Sequence, residues 1–247
     1  MAHPRHIRLY FAILLSLSWA SPAWATATLR LSDGVNTVVI GDGSGSDGSS
    51  PAGVVSYAGS LGGSDTTYRI TAGVTKPLIG SAGSPRFTLN DVTVIGGTGL
   101  LIIDFSETDF GPVPITTLFA SIGGTTNSSV SYQVFADPGD QLFGLAYQVT
   151  DQGPLTASPG GSSSFGGALG GGDASGLLPG FANFSLTQRV IIQQSGATPD
   201  DTGFTATVLA SPTTLNDSVP DGGSTLLLLG LAMLGLAGGR RLMVRPA

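Results

Sequence analysis

The sequence predicts an all-β body, an antiparallel β-sandwich with a jelly roll or a barrel as the alternatives. Three observations carry that expectation. Apolar and polar residues alternate along short segments, the period of a half-buried strand. Clusters of Gly, Pro, Ser and Asp separate those segments, and these are the residues that turns require. No stretch before the last thirty residues places apolar side chains at helical spacing.

Taken in chain order, Leu29 and Leu31 alternate with Arg30 and Ser32, and Tyr68 and Ile70 with Arg69 and Thr71. Phe87 and Leu89 are odd-numbered while Val92 and Val94 are even, so the inward parity flips at Asn90-Asp91. Because a one-residue slip exchanges the two faces of a strand, a bulge or a tight turn is expected there. Leu101, Ile103 and Phe105 share a face, as do Val130, Tyr132 and Val134. Asp137-Pro138-Gly139-Asp140 reads as a hairpin turn leading into a stripe of Phe143, Leu145, Tyr147 and Val149. Phe184, Leu186, Val190 and Ile192 form another stripe, and Phe204, Ala206 and Val208 the last. Eight to ten strands in one domain are expected, with these aromatic stripes as core rather than as a platform for sugars.

Residues 41–50 are all Gly, Ser or Asp, apart from nothing else, and residues 160–180 hold nine glycines in 21 positions. Both are expected to be mobile surface loops, since they carry too few side chains to bury much. Asp42, Ser44, Ser46 and Asp47 place oxygens at near-alternate positions. An EF-hand loop, however, needs glycine where Asp47 stands and glutamate where Gly53 stands, so a solvated linker is the better reading.

The amino terminus reads as a secretory signal. Arg5 and Arg8 precede an apolar run at residues 9–20, and Ala23-Trp24-Ala25 fits a small-x-small cleavage site after Ala25. Signal peptidase and the Sec machinery are the partners this implies. The predicted organisation is a signal peptide at 1–25, a β domain at 26–210, a polar linker at 211–218 and a terminal signal at 219–247.

Between the two signals, residues 26–217 carry five basic and fifteen acidic side chains, a net charge of −10. Such a surface disfavours nucleic acid and anionic lipid. The chain has no cysteine, and its two histidines, His3 and His6, lie in the signal peptide. Ser-His-Asp and Cys-His catalysis are therefore excluded in the mature body, as is a zinc site built on histidine or thiolate. Only aspartate chemistry and one Lys and one Glu remain, and the chain reads as no enzyme. Asp104, Glu107 and Asp109 cluster at the end of a strong strand, where hard oxygen ligands could hold calcium or a carboxylate pair could serve glycoside hydrolysis. Turn and capping chemistry is the default for all three.

The carboxyl end reads Val219-Pro220-Asp221-Gly222-Gly223-Ser224-Thr225, then an apolar segment at 226–239, then Arg240, Arg241 and Arg245. As a helix the segment spans only ~21 Å against a bilayer core of about 30 Å. It has no polar face, and the arginines behind it form a cytoplasmic stop. This three-part tail resembles the PEP-CTERM class of protein-sorting domains, in the variant whose motif reads VPD followed by small residues. The resemblance covers roughly the last tenth of the chain. It implies processing at Val219 to Thr225 by an exosortase-like membrane enzyme, in a Gram-negative bacterium that makes exopolysaccharide and lives in biofilms. The function expected is an exported, non-enzymatic protein of the cell surface or extracellular matrix, associated with exopolysaccharide and touching membrane only through its C-terminal helix. The alternative is a carbohydrate- or calcium-binding β-sandwich module.

Overall fold

The computed structural model describes residues 27–61, 67–111, 115–156, 163–173, 183–196 and 201–212. The signal peptide, residues 213–218 of the linker and the whole of 219–247 lie outside the described residues. Among the described residues no helix is long and apolar enough to cross a membrane.

Twelve strands run through them: β1 (Thr28–Ser32), β2 (Thr37–Gly41), β3 (Val54–Ser60), β4 (Thr67–Val74), β5 (Arg86–Ile95), β6 (Thr98–Phe110), β7 (Ile115–Thr126), β8 (Ser129–Asp137), β9 (Tyr147–Thr156), β10 (Ser163–Asp173), β11 (Phe184–Ser195) and β12 (Asp201–Pro212). They form two six-stranded sheets, ordered β2-β1-β6-β11-β8-β9 and β10-β7-β12-β5-β4-β3. All ladders within both sheets are antiparallel. From β6 to β8, and again from β9 to β12, the chain crosses from one sheet to the other at each connection. The central ladders of both sheets thus pair strands distant in sequence. The sheet margins meet, with β9 beside β10 and β2 beside β3.

The alternation read from the sequence sets the inner faces. Leu29 and Leu31, Leu101 to Phe105 at odd positions, Val130 to Val134 at even positions, and Leu186, Val190 and Ile192 line the first sheet. Tyr68, Ile70, Phe87, Leu89, Val92, Val94, Phe204, Ala206 and Val208 line the second. Each large apolar side chain so buried contributes roughly 1.5–3 kcal/mol. Phe105, Phe87, Phe110 and Phe184 form a chain of tilted rings, with centroids 5.8, 6.3 and 6.0 Å apart. The Tyr132 hydroxyl inside the core donates to Gln188 Oε1 at 3.2 Å, so its polar end is satisfied.

The parity flip at Asn90-Asp91 is a bulge within β5. Phe204 and Ala206 of β12, two residues apart, face Val92 and Leu89, three apart, and Asp91 adopts φ +47°. The extra residue restores both apolar pairs to the inner face.

Four expectations are corrected. The described residues form twelve strands where eight to ten were expected. The stripe from Phe143 to Val149 is not a strand face. A turn closes at Asp137–Asp140, a second at Gln141–Gly144, and β9 begins only at Tyr147. Phe143 sits at φ +59°, and Leu145 and Tyr147 stay exposed. Matching parity cannot distinguish a strand from two consecutive turns. Residues 41–50 form a hydrogen-bonded loop instead of a loose one: Asp47 accepts from the backbone N–H of Gly43, Ser49 and Ser56. Half of the glycine-rich stretch at 160–180 is strand β10, paired along β7. Glycine is needed where the two strands touch, since a Cβ on Gly166 (φ +137°) would lie 2.7 Å from Gly123 Cα.

Candidate functional site

The three carboxylates singled out in the sequence fall on one strand and its end, yet they point to different places. Asp104 and Glu107 are three residues apart on β6, so strand alternation sends them to opposite faces. Asp109 lies within a second bulge: Glu107 and Phe110 face Leu186 and Phe184 of β11, three residues against two, and Asp109 takes φ +59°. That bulge turns Phe110 into the core. Among the described residues, no three acidic, histidine or cysteine side chains are grouped so that they could hold a metal ion.

Asp104 lies on the outer face of the first sheet, in register with Arg30 of β1 and Arg189 of β11. Arg30 donates to its Oδ2 through Nε at 3.0 Å and Nη2 at 2.5 Å. Arg189 donates to Oδ1 through Nε at 2.7 Å and to Oδ2 through Nη2 at 3.1 Å. The carboxylate is 1% exposed and accepts four charge-assisted bonds. The Arg30 guanidinium stacks 4.1 Å over Phe143, which explains why that ring leaves the strand pattern. The backbone N–H of Phe143 donates to Ser106 Oγ at 2.9 Å, and Ser185 Oγ donates to Gln141 O at 2.6 Å. The 141–144 turn therefore covers this ion cluster. Held by both arginines, the carboxylate ties β1, β6 and β11 together.

Glu107 faces inward at the far end of β6, where the segment after β4 crosses beneath it. The Thr75 hydroxyl donates to its Oε2. Lys76 Nζ lies 3.7 Å from Oε1, and Oε1 has no hydrogen-bond partner. Lys76 Nζ instead donates to the carbonyls of Thr108 at 2.6 Å and Asp109 at 2.7 Å. It also sits 4.0 Å over the Phe110 ring. Burial pushes the Glu107 carboxyl up to about 7 against the opposing pull of the Lys76 ammonium. Burial likewise draws Lys76 below the ordinary lysine range, opposed by the charges of Glu107, Asp109 and Asp140.

The surroundings hold this pair in place. Gly53 O accepts from Thr75 N at 2.9 Å, and Gly53 N donates to Asp42 Oδ2 at 2.7 Å. Gly53 has φ +80°, and a Cβ there would stand 2.5 Å from Lys76 O, so the close approach needs glycine. Asp109 N donates to Asp140 Oδ1 at 2.8 Å, and Asn183 Nδ2 donates to Asp109 Oδ1 at 3.1 Å. Burial raises the Asp140 carboxyl above the usual range. Sequence reasoning did not place Thr75, Lys76, Arg30, Arg189 or Asp140 in a site. The signal available was scarcity, because Lys76 and Glu107 are the only lysine and glutamate in 247 residues.

A separate hollow of about 300 Å³ opens on the second sheet at Gly123, Gly124 and Gly203, rimmed by Asp91, Thr93, Thr125 and Thr205. Its floor is backbone and its rim is neutral hydroxyl with one carboxylate.

Comparison with known proteins places one segment. Residues 218–243 match the VPDSG-CTERM motif, a PEP-CTERM-like sorting-signal variant. Here Gly222 follows Val219-Pro220-Asp221 where the motif's name has serine. The processing residues Val219 to Thr225 and the first two stop arginines fall within the match, while Arg245 and Ala25 fall outside it. No curated protein matches this chain. Among solved structures, it is similar to an apo-form cyclase from Fischerella sp. at 14% identity, covering 59% of this chain and 87% of that one with a TM-score of 0.33. It is similar to TmCBM61 in complex with β-1,4-galactotriose at 8% identity, covering 59% and 88% with a TM-score of 0.29. The Gx strain structure of infectious bursal disease virus is similar at 10% identity, over 78% of this chain and 52% of that one, with a TM-score of 0.34. Likeness at these levels carries no function across.

Proposed function

We propose that this is an exported, non-enzymatic β-sandwich protein, released to the cell surface or extracellular matrix when an exosortase-like enzyme cuts its tail, and associated there with exopolysaccharide. The sorting motif at 218–243 is the observation that carries the reading. The charged groups of the body support it. Asp104 is consumed by two arginines, and Glu107 is closed off from solvent with a side chain 0% exposed. Neither is presented to a substrate. In this reading the body withstands the outside environment, and the tail decides its destination. Deleting residues 219–247 should change where the mature protein accumulates, as followed by fractionation with an antibody to the body. Unchanged delivery to the surface or medium would defeat the proposal.

A second reading rests on the hollow of the second sheet. The rim of Thr93, Thr125, Thr205 and Asp91 offers hydroxyls and a carboxylate to a neutral sugar, and the body's charge of −10 disfavours anionic polymers. Titration of the producing cell's own polysaccharide against the wild type and Gly203→Trp tests it. Binding lost in the variant supports the reading, and identical behaviour of the two chains removes it.

A further inference from the structure

The single lysine and the single glutamate of the chain meet each other across the two sheets. Elsewhere the body's charges are arginine and aspartate, and its buried ion cluster uses only those two. An ion pair needs no departure from that habit, and arginine makes the better buried partner for a carboxylate. A primary amine, unlike a guanidinium, is readily acylated. Lysine and glutamate are also among the residues least often buried.

The local geometry is not that of a settled salt bridge. Nζ stands 3.7 Å from Oε1, beyond normal charge-assisted distances, while Oε1 has no hydrogen bond. Two N–H bonds of Nζ are committed to the carbonyls of Thr108 and Asp109, and the Phe110 ring shields it from water. The Thr75 hydroxyl is aimed at the other carboxyl oxygen, Oε2.

We propose that Lys76 Nζ and Glu107 Cδ become joined by an amide bond, an internal cross-link between β6 of the first sheet and the segment following β4 of the second. The reactants are the neutral amine and the neutral acid. Burial favours both over their ionised forms, which is the direction in which each group is displaced. Nζ adds to Cδ, and charge develops on Oε2 where the Thr75 hydroxyl donates. The C–Oε1 bond breaks as Oε1 takes a proton from Nζ and leaves as water. One C–N bond forms, one C–O bond breaks, and no oxidant or cofactor is needed. In an exported chain without cysteine, this link does the work of a disulfide.

The chain's lysine count gives a direct test. Protein purified from the cells that make it is denatured and treated with an amine-reactive reagent, then mapped by mass spectrometry. The linked chain takes label at its α-amine only, and its peptides include a branched one joining Lys76 to Glu107, lighter by one water than the two separate peptides. Lys76→Arg should abolish the branched peptide, and Thr75→Val should lower its yield several-fold in freshly made protein. Labelling of Lys76 together with a linear Glu107 peptide in wild-type protein that was folded before denaturation overturns the proposal. That wild-type result decides the matter even if a variant fails to fold.

Discussion

Two buried charge clusters sit three residues apart on the same strand, one on each face of the first sheet. On the outer face, the carboxylate of Asp104 accepts four bonds from Arg30 and Arg189. On the inner face, Glu107 has one satisfied oxygen, one unbonded oxygen and a lysine that bonds elsewhere. Strand alternation supplied both positions. Partner chemistry then made one a finished electrostatic clamp and the other an incompletely bonded pair of neighbours. Burial of charge is thus not a single condition. A saturated group holds structure, whereas an unsaturated one is poised for further chemistry.

The largest expected effect breaks the clamp. Asp104→Ala leaves two arginines under the 141–144 turn with no counter-charge, and should cost about 3–5 kcal/mol in chemical unfolding. A loss below about 1 kcal/mol would show that the arginines find water without penalty. Lys76→Arg sharpens the other side of the comparison. If the pair is cross-linked, arginine removes a tie closing a loop of about 30 residues, and the loop-entropy estimate puts the loss at about 3–4 kcal/mol. If the pair is only ionic, the same change should be nearly neutral in the same unfolding experiment.

The pH dependence separates the clusters further. The raised value of about 7 belongs to a free Glu107 carboxyl. A carboxyl whose folded pKa stands above its unfolded value near 4.5 contributes stability below pH 4.5, and that contribution is lost as pH rises to 7. The linked wild type has no such group and should show no slope from this source. Lys76→Gln keeps the free acid and removes the opposing ammonium, so it should lose stability as pH rises above 4.5, as read by melting temperature across that range. The smallest effect lies in the loop behind Gly53. Asp47→Ala removes the acceptor for three backbone N–H groups and should cost about 1–2 kcal/mol. Amide exchange at Gly43, Ser49 and Ser56 should rise with it, while exchange within β6 stays unchanged.

Much of the sandwich was legible in the sequence because strand alternation is local. The stripes at Leu29 to Leu31, Leu101 to Phe105 and Val130 to Val134 each carry their own inward direction, and the bulge at Asp91 announced itself as a break in parity. The Phe143 stripe misled because Phe143 left the ladder to stack on Arg30, a partner distant in sequence. Strand β10 was hidden because glycine has no side chain with which to write a pattern. The loop at 41–50 was misread because composition does not show that one carboxylate, Asp47, organises it. The site was least legible, since the contacts of Asp104 with residues 30 and 189 and of Lys76 with residue 107 arise only from sheet pairing.

The central claim is that the body's chemistry holds it together while its tail directs it. The intact mass of the mature protein isolated from the surface or medium of the producing cell tests this most directly. The account predicts a chain beginning after Ala25 and lacking residues 226–247. A surface or released form that still carries Met233 and the arginines behind it would contradict the account.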